Sequence, residues 1–269
     1  MRVGTALPQR VLDRSFLDVA REAEDLGYAS LSVFDHLMPL GAREGTPVLE
    51  AFTTLAAVAA VTSTIGLRTL VARAPMRPPA MTAHLARSVR AVAGERFVLG
   101  LGTGDASSAR EDDLLGQPHL KAPERRDALR ATVAAVRATV PGQQVWVGGL
   151  GAATRTVAYE IADGWNAWAA TPAEIVAADA PAQVVVSWGG QVVLGATREE
   201  AETRLASWAP SRDPGERERA LTGTAEQVAA RIDALGAVGV AECVVAFVGG
   251  DAAGQRRAFA KHVLPLLGS

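Results

Sequence analysis

Between Arg2 and Leu267, short apolar runs alternate eight times with stretches of helical periodicity, and few architectures accept that rhythm. The strand candidates are Arg2–Ala6, Ala29–Phe34, Ile65–Val71, the run beginning at Phe97, Gln144–Val147, Gly164–Trp168, Gln183–Trp188 and Ala241–Val248. In the fourth of these, Phe97, Val98, Leu99 and Leu101 form a short unbroken apolar run, the pattern of a strand covered on both faces in a parallel sheet. Helical spacing places Phe16, Val19, Ala20, Ala23 and Leu26 on one face, with Ser15 as cap and Gly27 as stop. Further helices are expected over 50–62, 81–92, 125–139, 152–162, 171–178, 197–209, 225–235 and 252–267. Pro39–Pro47 and Ser211–Arg219 read as loops, and the polar segment after Asp105 as a loop with a short helix. Gly189–Gly190 reads as a turn, after which Gln191–Gly195 either continues the seventh strand or pairs with it. The α/β rhythm predicts a closed (β/α)₈ TIM barrel, a single domain over 1–269, with an open doubly wound sheet as the alternative. Eight units without a break in composition favour closure, and 269 residues suit a barrel of about 250.

Composition narrows the partners. Lys plus Arg number 27 against 29 Asp plus Glu, a net charge of −2 that offers nothing to nucleic acid or an anionic membrane. No window approaches about 18 uninterrupted apolar residues, and no basic start precedes an apolar signal segment, so a cytoplasmic protein is expected. The one cysteine, Cys243, sits in AECVVAFV and reads as a small buried hydrophobe. Four scattered histidines do not spell a metal site.

In a barrel, chemistry is expected at the carboxyl ends of the strands. Asp35 and His36 follow the second strand, where they are either a helix cap with a solvent-facing imidazole or a functional pair. His84, His119 and His262 fall elsewhere. Glycines 100, 102 and 104 end the fourth strand and let main-chain N–H groups approach a ligand, because no Cβ intervenes. Asp105 behind them is either an acid or base whose burial raises its pKa, or a cap for the segment from Ala106. GLGTG lacks the third-glycine spacing of a dinucleotide fingerprint. Gly148-Gly149-Leu150-Gly151 ahead of a helix suits a phosphate, or is a plain tight turn. Trp165, Trp168 and Trp188 serve as core or as pocket wall.

Taken in order, GYASLSVFDHL (27–37), LAAVAAVTSTIGLRTLV (55–71), RPPA (77–80), GERFVLGLGTGD (94–105), VWVGGLG (145–151), ADGWN (162–166) and LTGTAEQVAARI (221–232) resemble the luciferase-like monooxygenase superfamily over nearly the whole chain. The resemblance implies a (β/α)₈ barrel binding FMN or the deazaflavin F420 at the carboxyl rim. Asp35-His36 looks like the F420-dependent branch, whereas FMN monooxygenases more often carry Glu-His-His there. GTGD is similar to the branch's G-T-G-E, whose acid faces the cofactor, and Asp105 matches it one methylene shorter.

By the same resemblance Leu70-Val71 falls at a non-prolyl cis peptide that buttresses the deazaflavin ring. Gly148, Gly149, Leu150 and Gly151 would hold the phosphate, with Thr103 and Gly104 nearby. Ser108 stands where the branch usually has Asn for a phosphate or ribityl contact. The link between the fourth and fifth strands is short, without the insertion that commonly covers the pocket and supports dimer contacts. The resemblance thus implies an F420-dependent oxidoreductase passing hydride between the deazaflavin and a small-molecule substrate, as a homodimer. His36 and Asp105 would be the catalytic acid–base residues, and Asp35, Leu70, Val71, Thr103, Gly104, Ser108 and 148–151 the cofactor contacts. The alternatives are a reduced-FMN-dependent monooxygenase and a flavin- or F420-binding protein without catalysis.

Overall fold

The computed structural model describes residues 1–7, 16–38, 48–104, 108–208 and 214–267. Expectations at Pro8, Ser15, the 39–47 segment, Asp105 and residues 211–213 lie outside these. The chain opens with β1 (Arg2–Leu7), α1 (Phe16–Asp25), β2 (Ser30–Val33) and α2 (Ala51–Val61). β3 (Gly66–Thr69) and β4 (Ala72–Arg73) are two halves of one strand position, separated by Leu70-Val71. Then come α3 (Pro79–Ala93), β5 (Phe97–Gly102), α4 (Ala109–Leu114), α5 (Ala122–Thr139), β6 (Gln144–Gly148), α6 (Ala152–Ile161), β7 (Gly164–Trp168) and α7 (Pro172–Ala178). The chain continues through β8 (Val185–Leu194), α8 (Arg198–Trp208), α9 (Pro214–Arg219), β9 (Leu221–Gly223), α10 (Ala225–Ala237), β10 (Glu242–Phe247) and α11 (Ala252–His262).

The strands pair in parallel from β1 through β8, and β10 then bonds to both β8 and β1. That double pairing closes the sheet into the (β/α)₈ barrel and excludes the open sheet. The link between β5 and β6, expected to be short, runs over residues 103–143 and carries α4 and α5 among the described residues. Sequential strands are one crossover apart, and the longer helices between them pack apolar residues on the barrel's outside, as Leu129, Val133 and Val136 of α5 do. No helix among the described residues is long and apolar enough to cross a membrane.

Two expectations are corrected, and one short strand is added that the sequence reading did not mark. Gly189-Gly190 is not a turn, because β8 runs straight through it. A Cβ on Gly189 would lie 2.6 Å from the Trp168 ring, and one on Gly190 2.2 Å from the Trp188 ring, so these glycines make room for indoles inside a strand. Residues 214–219 form α9 rather than a loop, a charged turn of helix without the apolar stripe that periodicity detects. Leu221–Gly223 forms β9 on the end of β8, too short to register as a strand.

The amino-terminal half of the barrel's interior is polar. Arg68 donates to Glu242 at 2.6 Å, Ser30 donates to the same carboxylate at 2.5 Å, and the guanidinium lies 4.2 Å from the Trp146 ring centre. The carboxylate and the aromatic face compensate the buried charge, while Arg68 Nε and Nη1 are buried without a hydrogen-bond partner among the described residues. Cys243 is fully buried, and burial pushes its thiol up to about 12.

Candidate active site

Asp35 leaves the end of β2 and is buried, with only 3% of its side chain exposed. Arg77 clamps it with two nitrogens, Nη1 to Oδ2 at 2.7 Å and Nη2 to Oδ1 at 2.8 Å, and the Arg73 N–H adds a third bond at 3.0 Å. Arg77 also donates to Glu50 at 3.0 Å, and Glu50 caps α2 through the Thr53 N–H. Asp35 is therefore a latch that ties the β2 end to the segment after β4. A bidentate guanidinium–carboxylate pair fixes direction as well as distance.

His36 stands next to it, a quarter exposed, and its Nδ1 lies 3.3 and 3.2 Å from the two oxygens of Glu111. Glu111 comes from α4, is almost fully buried, and accepts the main-chain N–H groups of Leu37 at 2.7 Å and Met38 at 3.4 Å. Arg73 lies 3.8 Å away on its other side and binds Asp112 at 2.7 Å. Burial alone would push the Glu111 carboxyl up. The His36 hydrogen bond and charge, the Leu37 N–H and Arg73 outweigh burial and hold it below the ordinary value.

Above the polar interior, Leu70 and Val71, joined by a cis peptide bond, meet Ala6, Phe34, Trp168, Val244 and Ala246. Phe34 and Trp168 meet edge to face at 6.0 Å, both half-buried. These residues form an apolar platform at the carboxyl rim. Trp165 and Trp188 are instead core, their indole N–H groups donating to Gly149 O at 2.8 Å and Ala170 O at 2.9 Å.

The glycines of β5 make room for the platform. A Cβ on Gly102 would lie 2.5 Å from Val71 Cγ2 and one on Gly148 2.9 Å from Val71 Cγ1. One on Gly100 would strike the Thr69 carbonyl oxygen at 2.1 Å, and one on Gly104 the Arg73 chain at 2.6 Å. At 100, 102 and 104 the space a Cβ would need is thus taken by the Thr69 carbonyl and by the Val71 and Arg73 side chains.

Gly149 to Gly151 differ. Gly149 has φ +143°, and its N–H donates to Asn166 O at 3.3 Å. A Cβ on Gly151 would meet nothing, Leu150 is exposed, and Gly151 is the N-cap of the ten-residue α6. The N–H groups of 150–153 find no acceptor among the described residues, which suits an anion at a helix start. Thr103, Gly104 and Ser108 line a cleft of about 330 Å³ with Arg73 and Arg125, and the Ser108 carbonyl accepts from Arg73 at 3.2 Å.

The structure brings Asp35, His36, Leu70, Val71, Gly148 and the Gly149–Gly151 turn to one rim, while Asp105 lies outside the described residues. Glu111, Arg73 and Arg77 escaped the sequence reading. Glu111 sits in AREDD, a charge run that looks like a solvated helix face, and only the tertiary structure turns it inward.

Comparisons with known proteins bear on the fold and the family. The model of the family described as luciferase-like monooxygenase matches residues 1–242. An uncharacterized protein of Mycobacterium tuberculosis is 33% identical over 127 residues, 42% of this chain and 43% of its own length, so the match spans less than half of that relative. An F420-dependent secondary alcohol dehydrogenase, solved with an F420-acetone adduct, superposes with a TM-score of 0.81 at 18% identity over 100% of this chain and 99% of its own. The coenzyme F420 dependent tetrahydromethanopterin reductase from Methanopyrus kandleri gives 0.77 at 17% identity over 98% of both chains. Monooxygenase RslO1 from Streptomyces bottropensis gives 0.78 at 18% over 98% of this chain and 99% of its own. At these identities the superpositions speak for the fold, and the family match speaks for kinship: the chain belongs to the luciferase-like monooxygenase family.

Proposed function

We propose that the protein is an F420-dependent oxidoreductase acting on a small organic substrate. The observation that carries this reading is the rim itself. An apolar platform of Leu70, Val71, Phe34 and Trp168 adjoins an anion-ready helix start at Gly149–Gly151, with His36 beside Asp35 at the same strand ends. A planar ring with a phosphorylated arm fits that set, the ring on the platform and the phosphate at the free N–H groups of 150–153. Two of the three solved relatives above carry F420 in their descriptions, one of them with a carbonyl compound, which supports a carbonyl–alcohol couple as the substrate class.

When bound, F420 supplies two-electron hydride chemistry at C5 of the deazaflavin. The chain's own residues do the rest: the platform orients the ring, Phe34 and Trp168 exclude water, and His36 exchanges a proton with the substrate oxygen. Asp35 holds the rim in place through Arg77, and Asp105 is proposed as a second acid–base group.

Titrating the protein with F420 and with FMN, followed by absorbance and fluorescence, tests the proposal. Micromolar binding of F420 with none of FMN is expected. In the loaded enzyme, His36→Ala lowers turnover about 10²-fold. FMN binding with oxygen consumption would instead identify a reduced-FMN monooxygenase. Tight F420 binding without turnover on any donor would identify a carrier.

A further inference from the structure

The chemistry of His36 depends on which of its nitrogens carries the proton. Nδ1 faces both oxygens of Glu111, at 3.3 and 3.2 Å, whereas Nε2 makes no hydrogen bond among the described residues. The Glu111 carboxylate is itself pinned. Its Oε1 takes the Leu37 N–H at 2.7 Å, and Arg73 stands 3.8 Å from its Oε2. An ionised carboxylate only accepts hydrogen bonds. The other charged groups around the pair are already engaged, Asp35 with Arg77 and Asp112 with Arg73.

We infer that Glu111 is the positioning residue of His36: it holds the neutral imidazole with its proton on Nδ1 and leaves Nε2 as the atom that exchanges a proton at the rim. The inference deepens the proposed oxidoreductase reading and rests on it for the purpose of that proton. As a substrate hydroxyl is oxidised, its oxygen gives its proton to Nε2, and bound F420 would supply the two-electron acceptor for the hydride that leaves the carbon. The imidazolium so formed lies against the Glu111 carboxylate. In the reverse direction Nε2 returns the proton to the carbonyl oxygen. Glu111 never carries the transferred proton. It decides which nitrogen can.

The test reads the tautomer directly. ¹⁵N NMR of the full chain without cofactor, at a pH where the imidazole is neutral, is expected to show His36 protonated on Nδ1. In Glu111→Gln the Leu37 N–H still pins the amide oxygen, so the amide NH₂ faces Nδ1 and the proton moves to Nε2, inverting the ¹⁵N pattern. Glu111→Leu removes both options and gives a mixture. A protein that binds F420 should lose about 10²-fold in kcat in Glu111→Gln with KM nearly unchanged. A wild-type imidazole protonated on Nε2 overturns the inference without any variant, as does one tautomer shared by all three proteins. If the tautomer inverts as expected but neither F420 nor FMN binds, the assignment of Glu111 stands and the oxidoreductase reading fails.

Discussion

Val71 occupies a trough that glycines on two neighbouring strands leave open, and the contact is close enough to test. Gly102→Ala would place a methyl 2.5 Å from Val71 Cγ2 and is expected to cost about 1–3 kcal/mol in urea denaturation. Val71→Ala in the same chain should recover part of that loss, since the clash and the side chain that causes it vanish together. Gly151→Ala meets no atom within 4 Å at φ −61°, so the loss expected is only that of a poorer helix N-cap, about 0.5–1 kcal/mol. The two substitutions look alike in sequence. Which neighbour each would meet depends on strands that are far apart along the chain.

Helices and strands are tied at their ends by side chains that take up main-chain donors. Glu24, in α1, accepts the N–H groups of Ser63, Thr64 and Ile65 at 2.9, 2.6 and 2.9 Å, where α2 turns into β3. Burial alone would raise its carboxyl, but those hydrogen bonds bring it down from 4.5 to about 2. A folded-state value below the unfolded one means that the unfolded chain binds more protons in between, so stability rises with pH there. The contribution is complete above about pH 4.5 and is lost as pH falls toward 2. Denaturant midpoints at pH 7 and pH 3 should therefore show Glu24→Gln well below wild type at pH 7, with the gap narrowing at pH 3. Glu22, held low by Arg256 and Arg257, steepens the same acid limb in both proteins. At the element scale the sequence was largely legible. Pro172 with Thr171, and Thr224 with Gln227, mark helix starts that the structure shows as capping boxes. α9 and β9 were not legible, because one turn or three residues carry too little periodicity to stand out.

The molecule as a whole is a closed ring of strands whose first and last members are partners, Arg2 opposite Glu242 through Thr5 opposite Val245. Closure brings strand ends from across the chain to one rim, so a ligand there bridges many elements at once and stabilises the folded state against the unfolded one. A cofactor present at 100 times its dissociation constant adds about 2.7 kcal/mol. That corresponds to a rise in Tm of roughly 5 °C or more for a chain of this size. Thermal melts should show the rise with F420 and little change with the same concentration of FMN.

By itself the sequence determined the α/β rhythm and the strand-end position of Asp35 and His36, and its eight units favoured closure into a barrel. These are written in neighbouring residues, as strand and helix periods or as local motifs, whereas the cis bond at Leu70-Val71 was implied only by the resemblance to the family. Only the tertiary structure decided that the glycines of β5 serve Val71, that Asp35 is spent on Arg77, and that Glu111 turns inward to His36. Those pairings, Gly102 with Val71, Asp35 with Arg77 and His36 with Glu111, join residues 31, 42 and 75 positions apart. Packing and charge compensation across that distance depend on where the folded strands bring side chains, which no local pattern encodes.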